Sequence, residues 1–186
     1  NDRVVIGNAN PKHTGGFNLT GHYKGLDVSA FFNWVYGNDI YNANKMFFTS
    51  QPFGYRYRNL LGNMSSEDRF TYYNQESGAL VSDPAQLAEM NKNAKMWFPG
   101  MTNLQLHSWT IEDGSFLRLN TLTIGYSFNP NLLKRLKLSQ LRLFATGYNL
   151  WTWTNYSGFD PEVDVAKRTP LTPGVDWGAY PRSRTY

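Results

Sequence analysis

There is no cysteine among the 186 residues of the chain. That absence excludes a disulfide scaffold, a zinc ribbon, a thiol nucleophile and an N-terminal cysteine for a lipid anchor. A run of about 18 or more apolar residues is also missing, which excludes a helical membrane span. Charge is sparse: 18 basic against 14 acidic residues leave +4, too small and scattered a surplus for a nucleic-acid interface. Only three histidines occur, His13, His22 and His107, and no two are close enough in sequence to suggest a metal-ligand pair. No glycine-rich phosphate loop and no nucleophile elbow is found, so an enzyme is not expected and no cofactor is implied. The chain opens at Asn1 without a signal-peptide pattern and stops at Tyr186 inside what reads as an extended segment. Both ends read as cuts in a longer protein.

What the sequence does have is aromatic rings, 6 Trp, 12 Tyr and 12 Phe, and period-two alternation. In Gly16 to Lys24, Phe17, Leu19, Gly21 and Tyr23 share one face. In Leu26 to Tyr36, the face is Leu26, Val28, Ala30, Phe32, Trp34 and Tyr36. Successive strand residues point to opposite faces, so both read as strands with one apolar side, joined by a tight hairpin at Lys24-Gly25. A third strand is expected from Ser115 to Phe128 and a fourth, with faces that cannot be assigned, from Gln140 to Leu150. A fifth begins near Tyr180.

The connections alternate in length: Lys24 to Gly25 short, 37–114 long, Asn129 to Ser139 short, 151–179 long. In an antiparallel meander this sends every long loop to one end and every short turn to the other, as in an outer-membrane barrel. A β-sandwich would alternate too, but with its apolar face inward. Aromatics near strand ends, Tyr23, Trp34, Tyr36, Tyr126, Phe128, Tyr148 and Trp151, favour a membrane-water interface. Within the long connection, Asp83-Pro84-Ala85-Gln86 predicts a capped helix over Pro84 to Asn91, with Leu87 and Met90 on one side.

Chemistry is thinly represented. Asp160-Pro161-Glu162-Val163-Asp164 spaces carboxylates at alternate positions, which invites calcium. Val165 and Leu171 stand where an EF-hand needs Gly and Glu, so a rigid turn outweighs a metal site. Glu112-Asp113 before Gly114 reads as a turn rather than an acid-base pair. The better candidates are loop aromatics, Trp97, Trp109, Trp153 and Tyr156, with Trp151 beside them, because flat rings stack on sugars or peptide side chains. For any single one, packing between loops or anchoring at the interface is the commoner role.

Several blocks resemble a family. Val5-Ile6-Gly7-Asn8-Ala9-Asn10-Pro11, Gly15-Gly16-Phe17 and Tyr23-Lys24-Gly25-Leu26-Asp27 are similar to late-barrel segments of SusC/RagA-type TonB-dependent transporters. So are Glu112-Asp113-Gly114-Ser115-Phe116-Leu117-Arg118-Leu119 and Leu122-Thr123-Ile124-Gly125-Tyr126. Tyr148-Asn149-Leu150, Thr154 to Glu162, Gly174-Val175-Asp176 and Tyr180 to Thr185 continue the match in order; only Asn44 to about Trp109 is unplaced. The resemblance implies an all-β antiparallel meander, roughly the last five strands of a barrel of about 22, in the bacterial outer membrane. It implies a plug domain and a TonB-contacting segment outside this chain, a SusD-like surface lipoprotein as lid, and import of oligosaccharides or peptides. The chain departs from the family pattern in ending before the closing strand. A secreted β-sandwich that binds glycan is the alternative, and an outer-membrane enzyme the weakest reading. Five strands with an apolar band about 25 Å tall would expose about 600 Å² to lipid, so the segment is not expected to fold alone in buffer.

Overall fold

The computed structural model describes residues 4–50, 59–100, 106–135, 137–163 and 172–186. Two compact units are present, Asn1–Tyr41 together with Ile111–Tyr186, and Asn42–Thr110. In chain order the strands are β1 (His13–Tyr23), β2 (Leu26–Tyr36), β3 (Asp39–Asn42), β4 (Ile111–Asp113), β5 (Phe116–Ser127), β6 (Arg142–Thr154) and β7 (Val175–Asp176). The helices are α1 (Ala43–Phe48), α2 (Pro84–Met90) and α3 (Pro130–Arg135).

The first unit is built on one antiparallel meander, β1-β2-β5-β6. Lys24 and Gly25 turn the first hairpin with φ of 47° and 88°, the pair of positive angles that matches strand twist in a two-residue turn. A side chain at Gly25 would also meet the Ser127 carbonyl at 2.5 Å. Asn129 accepts from the Asn131 amide at 2.9 Å and starts α3, which closes the second short connection.

Register converts the alternation into two continuous faces. Tyr23, Leu26, Tyr126 and Leu143 lie in one row, followed by Val28, Ile124 and Ala145 beside Gly21, then Leu19, Ala30 and Leu122 beside Gly147. Beyond the irregularity at Asn120 the same face continues through Phe17, Phe32, Leu119 and Trp151, then Trp34, Leu117 and Trp153, and ends at His13 and Tyr36. No formally charged residue interrupts it. The opposite face carries Asn18, Thr20, Asp27, Ser29, Asn33, Thr121, Thr123, Arg142 and Thr146, with Phe31, Phe144 and Tyr148 among them.

None of the large apolar residues on the first face is buried, and Leu19 (58%) and Leu143 (59%) are more than half exposed. Four strands about 4.8 Å apart bearing a band about 25 Å tall give about 480 Å² of apolar surface. That is within the range of the largest patch on a soluble monomer, here on a sheet that no second layer covers among the described residues. A β-sandwich would have buried this face.

The buried core of the first unit lies elsewhere. A small sheet in the order β4-β3-β7 supports a cluster of Ile40, Tyr156, Val163 and Ala179. The second unit has its own scaffold. Asp83 caps α2 by accepting from the Gln86 amide at 2.8 Å, and Asn42 caps α1 through Lys45 at 3.1 Å. Asn91 accepts from the Thr71 amide at 2.8 Å and donates to the carbonyls of Thr71 and Leu87, both at 2.9 Å.

Four boundaries are corrected. β1 starts at His13 rather than Gly16, and the long 37–114 connection contains β3 and β4, which pair with each other. β6 begins at Arg142 and runs on to Thr154, because Trp151 to Thr154 pair with Phe116 to Leu119, so the last long connection starts at Asn155 rather than Trp151. The fifth strand is a single exchange of backbone hydrogen bonds between Tyr148 and Thr185.

Candidate functional site

The candidate aromatics fall in three places. Trp97 and Trp109 come together in the second unit, edge to face at 5.1 Å between ring centroids, with His107 4.7 Å from Trp97. Both indoles are half-buried. The Lys45 ammonium sits 4.1 Å over the Trp109 ring and donates to the Trp109 carbonyl at 3.3 Å, which occupies one stacking face. Burial holds the His107 imidazole below its ordinary pKa.

Trp153 is on the apolar face of β6, within 6.4 Å of both Phe32 and Trp151. Phe32 stacks in turn on Phe17 at 4.8 Å, and Trp34 donates its indole N–H to His13 Nδ1 at 2.9 Å. This band of rings lies at the end of the sheet from which the long connections leave. Tyr23 and Tyr126 mark the hairpin end, with aliphatic residues between the two margins. Rings with one polar edge at both margins of an aliphatic band match the two boundaries of a bilayer.

Tyr156 is 6% exposed and part of the core. Its hydroxyl donates to Asp176 Oδ2 at 2.5 Å, while Asp176 Oδ1 accepts from the amides of Gly178 and Ala179, each at 2.8 Å. Burial first, and the Asp176 carboxylate second, push the phenol far above its ordinary pKa. The rings that do face solvent on the neighbouring segments are Phe159 (76%) and Trp177 (73%), each next in sequence to a buried, bonded aspartate. Sequence reasoning passed over both, although each stands beside a carboxylate and a loop glycine, Gly158 or Gly178.

The carboxylates that invited calcium are taken by arginines. Arg118, on the polar face of β5 with its side chain 3% exposed, places Nη2 2.6 Å from Asp160 Oδ1 and 3.1 Å from Glu162 Oε2. Arg182 reaches Glu162 Oε1 at 2.9 Å, and Asp160 Oδ1 also accepts from the Glu162 amide at 2.9 Å. Asp164 lies outside the described residues, and no cluster of metal-binding side chains occurs among the described residues. Glu112 accepts from the amide and hydroxyl of Ser157, both at 2.9 Å, and Asp113 from those of Ser115, so this pair organises turns. Among the described residues no arrangement supplies a nucleophile with a base. What the arrangement offers is a wall with unlike faces and loops tied firmly to its polar side.

No family model matches the chain. It is 30% identical over its whole length to TonB-dependent receptor P3 of Formosa agariphila, and 35% identical over 44% of its length to TonB-dependent receptor SusC of Bacteroides thetaiotaomicron. These alignments span 16% and 7% of the two receptors, so the chain corresponds to about a sixth of the longer-matching relative. Among solved structures it is similar to a chain of the RagAB peptide importer in its closed-closed state, with TM-score 0.66, 23% identity, and coverage of 97% of this chain and 17% of that one. In the open-open state of that importer the TM-score is 0.61 at 24% identity, over 95% and 16% of the two chains. Those likenesses establish a shared fold, and the sequence relatives are receptors rather than enzymes. Unlike faces, aromatic margins and relatives together lead to one assignment: the chain is a barrel segment of a SusC/RagA-type TonB-dependent receptor of the bacterial outer membrane.

Proposed function

We propose that the complete protein imports oligosaccharides or peptides across the outer membrane, driven through TonB, with a SusD-like surface lipoprotein as its lid. This chain then supplies wall and external loops. The four-stranded sheet turns Leu19, Ala30, Leu122 and Ile124 to lipid and Asn18, Ser29, Thr121 and Thr123 to the lumen. The short turns at Lys24-Gly25 and around α3 face the periplasm, and the connections 37–114 and 155–174 emerge outside the cell. One observation carries the reading: an uncharged apolar face, bounded by rings at both margins, backs a polar face on the same single sheet.

Transport by such a wall involves no bond chemistry. Substrate and lid select among loop conformations, so each contributes through its differential affinity for open and closed states. Trp97 and Trp109, together with the exposed Phe159 and Trp177, are the proposed external contacts. Trp153 and Tyr156 hold the wall and the loop core instead. The test is to isolate the complete gene product from outer-membrane fractions and to follow uptake of labelled oligosaccharides and peptides with and without TonB. A lipoprotein that co-purifies, and uptake that stops without TonB, support the proposal. An inner-membrane or soluble location, or uptake that does not need TonB, overturns it.

A further inference from the structure

Within the second unit a polar cleft of about 430 Å³ opens between the 66–76 segment and the residues that follow α2. That volume falls in the range of about 300–1,000 Å³ typical of small-molecule sites. Its framework is fixed by internal hydrogen bonds. Asn91 clamps Thr71 and Leu87, Gln75 donates to the Ser66 carbonyl at 2.7 Å, and Asn74 Oδ1 accepts from the amides of Glu76 and Ser77 at 2.9 Å.

On this framework several side chains are uncommitted, the Ser66 hydroxyl among them. Glu67, Glu76 and Asn93 all line the cleft, and none has a side-chain hydrogen bond or ion pair. Arg69, also lining it, spends one weak contact on the Met64 carbonyl at 3.4 Å. The cleft therefore presents carboxylate acceptors, an amide that both donates and accepts, and a guanidinium donor. Apolar lining is limited to Met90 and Ala94.

From this donor set we infer that the 42–110 unit holds a binding site of its own for a neutral, hydroxyl-rich ligand, a saccharide of one or two rings. A hydroxyl gives one hydrogen bond and accepts two, so neighbouring sugar hydroxyls satisfy carboxylate, amide and guanidinium together. A peptide backbone brings one N–H and one C=O per residue, fewer polar groups than a sugar ring presents over the same length, and the cleft offers no row of apolar subsites for its side chains. The site rests on the import reading only in that it would select for saccharide over peptide. The cleft itself is formed entirely within the second unit.

The experiment uses the complete protein in detergent, with maltohexaose, cellohexaose, laminarihexaose and xylohexaose as neutral probes and a Lys-rich hexapeptide as the cationic one. Affinity is measured by titration calorimetry for the parent, Glu67→Gln and Asn93→Ala. Both substitutions are at exposed positions, and electrophoretic mobility before and after heating confirms that each barrel is folded. At least one saccharide is expected to bind, with affinity lowered about tenfold in each variant. Saccharide affinity unchanged in both variants, no saccharide binding, or loss confined to the cationic peptide overturns the inference. Uptake measured on the same variants separates the two readings. Import with no effect of the substitutions on binding removes the cleft and leaves the transporter. Cleft binding in a protein that imports nothing removes the transporter and leaves the cleft.

Discussion

Arg142 on β6 reaches over strand β5 to grip Asp27 on β2, with Nε at 3.2 Å and Nη2 at 2.6 Å from its two carboxylate oxygens. The bridge passes above Gly125, where a Cβ would lie 2.5 Å from Arg142 Nη2 and 2.6 Å from Asp27 Oδ2. Glycine at 125 is thus what allows two strands that do not touch to be tied on the polar face near the hairpin end. A bidentate guanidinium-carboxylate pair fixes direction as well as distance.

Replacing Gly125 with Val should therefore act by parting this pair. Gly125→Val and Asp27→Asn are each expected to lower the temperature at which the folded protein loses its heat-modifiable band. The double variant should fall no further than the worse single one, because both remove the same contact. Additive losses would show that Gly125 serves some other purpose.

Arg118 gives a larger effect, of a different kind. Its removal in Arg118→Ala leaves Asp160, 6% exposed at the side chain, without its main cationic partner and is expected to cost about 3–5 kcal/mol. The loss should be local: limited proteolysis will cut within 155–163 while the strands stay protected. Cleavage no faster than in the parent would contradict the anchoring role.

His107 links the second unit to pH. Its folded pKa lies below the ordinary value of 6.5 because burial disfavours the imidazolium. Well above 6.5 the ring is neutral in both folded and unfolded chains, and its packing beside Trp97 contributes in full. As pH falls through 6.5 the unfolded chain takes up its proton first, so stability is lost toward acid. Hydrogen exchange of residues 106–110, corrected for intrinsic rate, should show less protection at pH 5.5 than at 7.5, and His107→Phe should remove the difference. Equal protection at both values in the parent would refute this.

Much of this architecture could be read along the chain where the signal is local. Leu26 to Tyr36 alternates without a break, so β2 has the limits its pattern predicts, and Lys24-Gly25 and Asp83-Pro84 carry turn and cap in adjacent residues. The apolar rows change parity between Leu119 and Leu122, and that is where pairing slips, at Asn120, with Asn149 across from it at φ 52°. Alternation taken one stretch at a time hides such a slip, and β6, expected to end at Leu150, runs four residues further to Thr154.

The aromatic candidates were less legible because their roles depend on distant partners. Tyr156 is claimed by Asp176 twenty residues on, and one face of Trp109 by Lys45, 64 residues earlier. A tryptophan near a loop gives no hint of which face of a sheet it will join, and Trp153 took the apolar one only through its pairing with Leu117. Identity and spacing locate rings; register and long-range hydrogen bonds decide what remains free to bind.

The central claim is that neighbouring residues of one strand meet lipid and water respectively, and Ala30 and Ser29 test it most directly. In the complete protein refolded into lipid vesicles, urea unfolding of Ala30→Arg should show a loss of about 2–4 kcal/mol, as expected for a cation near the bilayer midplane. Ser29→Arg, facing the polar side, should lose under about 1 kcal/mol, in line with ordinary exposed substitutions. Equal losses at the two positions, or a larger loss at Ser29, would contradict a wall with lipid on one side and a lumen on the other.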